Sequence, residues 1–242
     1  MIHPRLLNLI PGQIRRFFGK TFLKRSFTAS QAGQDLWVYG EVFNEKKGGY
    51  FLDIGAHDGI ALSNTFLLEK RYGWTGVCVE ANPETFSILK KNRSSKCLNY
   101  CLDAEERTVA FAKRGVMGGI VSEETRNPDG TNSDEVELKT VTLNRVLEES
   151  RSPQLIDYLS IDIEGAEERV LSDFDFNRYR FNCITIEEPT ARLRELFRSK
   201  GYILVKDIPG LDAFYVHQDF KDEYLLNVYR YYRKKFFRVR WE

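Results

Sequence analysis

The sequence predicts an α/β fold in which a mostly parallel sheet carries helices on both faces. Two observations predict it. From Gly49 onward, short β-branched runs alternate with helical segments, and the longest runs are apolar at nearly every position. Alternation of this kind gives a parallel sheet, and a strand buried on both faces reads as a continuous apolar run.

The elements follow in order. Residues 50–54 read as the first strand, ended by Gly55, and 62–72 as a helix. Residues 76–80 form the second strand. Pro83 then suits the first turn of a helix running to residue 92, because the N–H it lacks has no helical partner there. Residues 97–102 make a third strand; 108–111 and 136–142 are short edge-like strands around a Gly-rich, polar stretch at 113–134. The fourth major strand spans 155–163, followed by a helix at 165–171, a fifth strand at 182–187 and a helix at 191–199. Strands at 202–206 and 213–216 close the chain as a hairpin.

With 242 residues, 42% hydrophobic and 29% charged, the chain suits one large domain and excludes disordered, collagen-like and disulfide-stapled classes. Cys78, Cys97, Cys101 and Cys183 fall in or beside strand-like runs, in neither a zinc pattern nor a disulfide framework, and read as reduced core thiols. No apolar run approaches the roughly 18 residues that span a bilayer, and the first ten residues are too short for a secretory core. The expected location is cytoplasmic.

The net charge of +1 conceals a split. Residues 1–34 carry six basic residues and no acid, and residues 221–242 carry seven basic and three acidic, which leaves the middle at −9. This divides the chain into a basic amphipathic extension at 1–29, a central domain at 30–220 and a basic aromatic helix at 221–242.

Candidate chemistry sits at the strand ends. The first strand runs into Asp53-Ile54-Gly55-Ala56-His57-Asp58-Gly59, where two glycines four apart make a turn that a ligand can approach closely. The next strand ends in Glu80, placed to accept hydrogen bonds from both ribose hydroxyls of an adenosine group. A nicotinamide enzyme would show Gly-x-Gly-x-x-Gly against a pyrophosphate. Here Asp53 would repel a diphosphate and suit a ligand bearing an amino group or a sulfonium, such as S-adenosyl-L-methionine.

Four blocks now carry a resemblance: Ser30-Gln31-Ala32-Gly33-Gln34-Asp35, the Asp53–Gly59 block, Val79-Glu80-Ala81-Asn82-Pro83, and Ser160-Ile161-Asp162-Ile163-Glu164-Gly165-Ala166-Glu167. The sequence resembles the FkbM family of S-adenosyl-L-methionine-dependent methyltransferases. The resemblance implies a Rossmann-like class I methyltransferase with a seven-stranded, mostly parallel sheet, and mainly O-methylation. One position departs: the family commonly carries Asn where this chain has His57. Carried over, Asp53, Gly55, Ala56, His57 and Gly59 would line the methionine end of the cofactor, and Glu80 with Ala81 the ribose. Leu102 and Asp103 would flank the adenine, Gln34 and Asp35 would close over the amino-acid moiety, and Asp162 would stand beside the transferred methyl.

Methyl transfer to a hydroxyl needs alignment and a proton acceptor. Asp162 and Glu164 are the candidate bases, with Glu187, Glu188 and His57 in reserve. Both could instead cap the helix expected at Gly165. No metal is assigned. Asp-Ile-Glu-Gly offers no platform on which to stack a flipped base, which argues against nucleic acid. The expected acceptor is a small molecule, a glycan or a glycolipid, and the 113–134 stretch is assigned to its site. The alternatives are an inactive methyltransferase-like interaction or trafficking module and a nucleic-acid methyltransferase.

The basic ends speak to location or assembly. Ile14, Phe17, Phe18 and Phe22 share one helical face, as do Leu225, Val228, Tyr232 and Phe236. Both helices either pack on the domain or on a second copy in a homodimer, or lie on an anionic membrane surface, peripheral to its inner face, or contact RNA or DNA, for which no recognised module is present.

Overall fold

The computed structural model describes residues 28–113, 118–121 and 135–238. The stripe at 14–22 lies outside the described residues, as do 114–117 and 122–134 of the polar stretch.

The chain starts with a helical turn, α1 (Gln34–Leu36), that widens into a π-helix over Trp37–Val42. Then follow β1 (Tyr50–Ile54), α2 (Phe66–Tyr72), β2 (Thr75–Val79), α3 (Pro83–Asn92), β3 (Lys96–Leu98) and β4 (Cys101–Leu102). Next come β5 (Thr108–Ala112), β6 (Gly119–Ile120), β7 (Glu135–Val141), α4 (Leu143–Ser150), β8 (Leu155–Ile161) and α5 (Glu167–Ser172). The chain finishes with β9 (Arg180–Glu187), α6 (Ala191–Ser199), β10 (Tyr202–Asp207), β11 (Asp212–His217) and α7 (Lys221–Arg238).

Seven strands form the main sheet in the order β10-β11-β9-β8-β1-β2-β3. Only β11 opposes its neighbours; the other pairings are parallel. The strand order reverses between β1 and β8, and such a switch point leaves a crevice beyond the carboxyl ends. A second sheet, β4-β7-β5-β6, stands beside it.

The core divides across the main sheet. Leu52, Ile54, Val77 and Val79 pack with Leu147 of α4, Leu171 of α5 and Phe197 of α6. Phe51, Cys78 and Tyr158 pack on the other face with Trp37, Leu68 of α2, Leu89 of α3 and Tyr224 and Val228 of α7.

Three expectations change. The third strand divides at Asn99 and Tyr100, because the Asn99 Nδ2 donates to the carbonyls of Glu80 (2.8 Å) and Ala81 (3.0 Å) and turns the chain into the second sheet. The first helix begins four residues late, since Leu62 holds a left-handed φ of 56°. Helix α4 was not expected; Thr142 caps it by accepting from the Arg145 N–H at 3.2 Å.

Helix α7 covers the π-helix. A Cβ on Gly40 would lie 2.4 Å from the Tyr231 ring, so glycine lets the two backbones approach. Asn227 Nδ2 donates to the Val42 carbonyl at 2.9 Å, and the Tyr232 hydroxyl donates to Glu41 at 2.6 Å. The packed face of α7 holds Leu225, Val228 and Tyr232 of the expected stripe and is widened by Tyr224 and Asn227.

Candidate active site

The carboxyl ends of β1, β2 and β8 open into one crevice. Its position rests on the turn after β1. The N–H groups of Gly55 and Ala56 both donate to the Val79 carbonyl at 3.0 Å, and Asp162 N–H donates to Ile54 O at 3.0 Å. Gly55 has a φ of 83°, and a Cβ there would fall 1.7 Å from the Asp162 carbonyl, so only glycine lets the two strand ends meet.

One end of the crevice is apolar. Ala81, Tyr100, Cys101 and Leu102 line it from the β2–β4 side, and Phe111 and Ile120 line it from the second sheet. At the other end lie Gly55, His57, Glu80, Asp162 and Glu164.

Glu80 is buried and held by backbone: Oε2 accepts from His57 N–H at 2.9 Å and Oε1 from Asn82 N–H at 2.8 Å. Burial raises its carboxyl above the ordinary range, against these two bonds. Each oxygen keeps a second lone pair for a ligand hydroxyl.

Oxygens of Asp162, Glu164 and Glu187 lie within 4.8 Å of one another. Asp162 and Glu164 are exposed to solvent, yet desolvation of the Asp162 carboxyl by the surrounding strand ends, with the facing Glu187 carboxylate, pushes it up to about 8. Glu164 is raised by desolvation of its carboxyl and by Glu187 and Glu167. Three carboxylates this close repel one another, which favours the protonated form of at least one of them. Glu167, whose Oε1 accepts from Ile163 N–H at 2.8 Å, fixes the loop that carries Glu164. His57, Glu164 and Glu188 all hold positive φ, of 48°, 55° and 31°.

The structure brings Gly55, His57, Glu80, Ala81, Leu102, Asp162 and Glu164 to the crevice. Ala56 packs behind the turn in the core. The other assigned residues point elsewhere. Asp53 lies within β1, with strand partners on both sides, and its side chain faces the helices. It accepts from the Thr65 hydroxyl and sits 3.6 Å from the Arg93 guanidinium. Gly59 packs against Leu89 and Arg93 of the α3 region. Asp103 is taken by Arg107 at 2.6 Å and Arg169 at 3.0 Å. Gln34 donates to Asp212 at 2.7 Å, and Asp35 accepts from Ser30 and Thr28, each at 2.6 Å. The His57 Nδ1 stands 3.7 Å from Asp58, beyond hydrogen-bond reach.

Sequence reasoning missed the apolar wall. Tyr100, Cys101 and Phe111 carry no motif, and Gly119 and Ile120 belong to the stretch assigned to the acceptor, yet they line the same crevice as Glu80. Arg93 was also missed. Its guanidinium is fully buried and bonds Glu69 and Thr65 at 3.0 and 2.9 Å.

The strand order, the single reversed strand and the crevice at the switch point define a class I methyltransferase fold. A family model described as the methyltransferase FkbM domain matches residues 53–204, and the chain belongs to this family of S-adenosyl-L-methionine-dependent methyltransferases. No curated protein matches it in sequence. Among solved structures it is similar to a METTL16 MTase domain, at 15% identity and a TM-score of 0.43, covering 76% of this chain and 65% of that one. It is also similar to a human methyltransferase 10 domain containing protein, at 15% identity and a TM-score of 0.44, covering 88% and 95% of the two chains. A third is the N-terminal domain of human METTL16 in complex with SAH, at 14% identity and a TM-score of 0.40, covering 88% and 81%.

Proposed function

We infer that the chain transfers a methyl group from S-adenosyl-L-methionine to a hydroxyl of a sugar, glycolipid or secondary metabolite. One observation carries the reading: a single crevice is lined by Glu80, Asp162 and Glu164, and Glu187 lies within 4.8 Å of the last two. The residues fit the cofactor. Glu80 keeps free lone pairs for the ribose hydroxyls, the slot of Ala81, Leu102, Phe111 and Ile120 suits adenine, and the Gly55–His57 turn suits the methionine end.

When bound, the cofactor supplies an activated methyl on a sulfonium. The chain must align a hydroxyl with it and remove one proton. Asp162 is the base. Desolvation of its carboxyl and its neighbour Glu187 raise it towards neutral pH, where a carboxylate accepts a proton best from a weakly acidic hydroxyl. The carboxylates around it also favour the cationic cofactor electrostatically. Gln34, through Asp212, brings the N-terminal part of the described chain close to the carboxyl end of β9 and braces that side.

The test is transfer of tritiated methyl from S-adenosyl-L-methionine into cell extracts fractionated by chemical class. Base-stable label in the small-molecule, glycan or glycolipid fraction, released from glycans as methylated sugar by glycosidase, is the expected result. Label confined to RNA or DNA would replace the acceptor class, and no label in any fraction would favour an inactive module.

A further inference from the structure

Cys78 and Cys97 face each other on neighbouring strands. The β2–β3 register pairs them, and the β1–β2 register pairs Asp53 with Cys78, so Asp53, Cys78 and Cys97 form one row across three strands. Register partners project to the same face of a sheet, here the face that α3 covers. Neighbouring strands lie about 4.8 Å apart, inside the Cα separation of about 4.4–6.8 Å that a disulfide needs.

The two thiols differ. Cys78 is wholly buried and Cys97 is partly open to solvent. The Cys97 thiol donates to the Ser95 carbonyl at 3.4 Å. The Cys78 thiol beside it lowers the Cys97 thiol from its ordinary range against its burial, and the Arg93 guanidinium lowers it further. The other cysteines move the opposite way: burial pushes Cys101 up to about 12 and raises Cys183 as well. A partly exposed, acidified thiol beside a second thiol is the arrangement of a peroxide-reactive pair.

We propose that Cys78 and Cys97 form a dithiol that hydrogen peroxide closes to a reversible disulfide. The Cys97 thiolate attacks one peroxide oxygen: an S–O bond forms, the O–O bond breaks, and the departing hydroxide leaves as water with a solvent proton. The Cys78 sulfur then attacks the Cys97 sulfur, forming the S–S bond and expelling the hydroxyl, which takes the Cys78 proton as a second water. Two thiols are oxidised and one peroxide is reduced to two waters.

Arg93 links the row to the loop that follows the Gly55–His57 turn, behind the crevice lining. Its guanidinium reaches Asp53 and Glu69, and it donates to Gly59 O and Ser63 Oγ, each at 3.4 Å, on that loop. A bond between Cys78 and Cys97 shifts the floor under that guanidinium, so oxidation weakens cofactor binding. This last step rests on the crevice being the S-adenosyl-L-methionine site.

The test uses the full chain, reduced and then exposed to hydrogen peroxide, with peptide mass mapping after alkylation. The expected product has lost two hydrogens, links the Cys78 peptide to the Cys97 peptide, survives Cys101→Ser, and is reversed by dithiothreitol. In Cys78→Ser, Cys97 stops at the sulfenic acid and is trapped by dimedone. Calorimetry with S-adenosyl-L-methionine should show affinity about fivefold weaker for the oxidised chain, with no effect of peroxide on Cys97→Ser. Both thiols remaining alkylatable, or Cys97 advancing to the sulfinic acid while Cys78 stays free, would overturn the pair. A disulfide with unchanged affinity would overturn its coupling to the crevice. Failure of the reduced chain to bind would count against the cofactor reading alone, since the mass result does not depend on it.

Discussion

Arg93 places its Nη1 3.6 Å from the Asp53 Oδ2, with both side chains buried beneath the turn that begins at Gly55. An acid expected to meet the cofactor directly is instead neutralised by a guanidinium, and the pair supports the turn from below. Burial still raises Asp53 despite Arg93 and Thr65, so the carboxylate depends on its partner.

Removing that partner should therefore be severe. Arg93→Met leaves Asp53 and Glu69 buried without it, at a cost of about 3–5 kcal/mol. Adding Asp53→Asn should return part of the loss. Chemical denaturation of the single and double variants measures this; equal stability of wild type and Arg93→Met would refute the support role.

Glu69 sets an acid limit. Burial would raise its carboxyl, but the Ser94 and Ser95 N–H groups, Arg93 and Lys70 outweigh it and hold it at about 2. Because the folded value lies below the unfolded 4.5, the stabilisation is complete above pH 4.5 and disappears as pH falls towards 2. The loss is of order 3 kcal/mol. In Glu69→Gln the stability curve should be flatter across that window, as read from urea midpoints against pH.

Gly55→Ala tests the meeting of β1 and β8. The added methyl lands 1.7 Å from the Asp162 carbonyl on a backbone at φ 83°. A loss of roughly 3 kcal/mol or more and of cofactor binding is expected. A stable, binding-competent variant would mean that the strand ends do not approach as described.

Asp162 predicts a pH profile. As the base it must be ionised, so turnover should rise with pH through about 8. Glu187→Gln removes a repelling charge and should move the rise to lower pH. Asp162→Asn should lower kcat by about 100-fold while changing cofactor affinity little. Unchanged kcat in Asp162→Asn would transfer the role to Glu164. Loss of activity on adding a chelator, restored by a divalent cation, would show that the carboxylates hold a metal.

Much of this was legible from periodicity. Continuous apolar runs located the central strands β1, β2, β8 and β9 of the main sheet, because burial on both faces leaves little room for polar alternation. The Ser160–Glu167 block placed Asp162 and Glu164 correctly at a strand end. What failed was direction. Asp53 looked like a strand-end acid, but it sits inside β1, where register with Cys78 and Ser160 turns it towards the helices. Asn99 read as strand until its side chain was seen to bond the carbonyls after β2. The apolar wall of Phe111 and Ile120 depends on pairing between β5 and β6, a contact that leaves no local trace.

Glu80 carries the central claim, that this crevice binds S-adenosyl-L-methionine. Titration calorimetry of the wild type and Glu80→Gln with that cofactor tests it directly. The variant replaces one carboxylate oxygen with an amide that cannot accept. One site per chain and an affinity weakened roughly 10- to 100-fold in Glu80→Gln is the predicted result. Absence of binding by the wild type at high micromolar cofactor, or equal affinity in the two proteins, would contradict it.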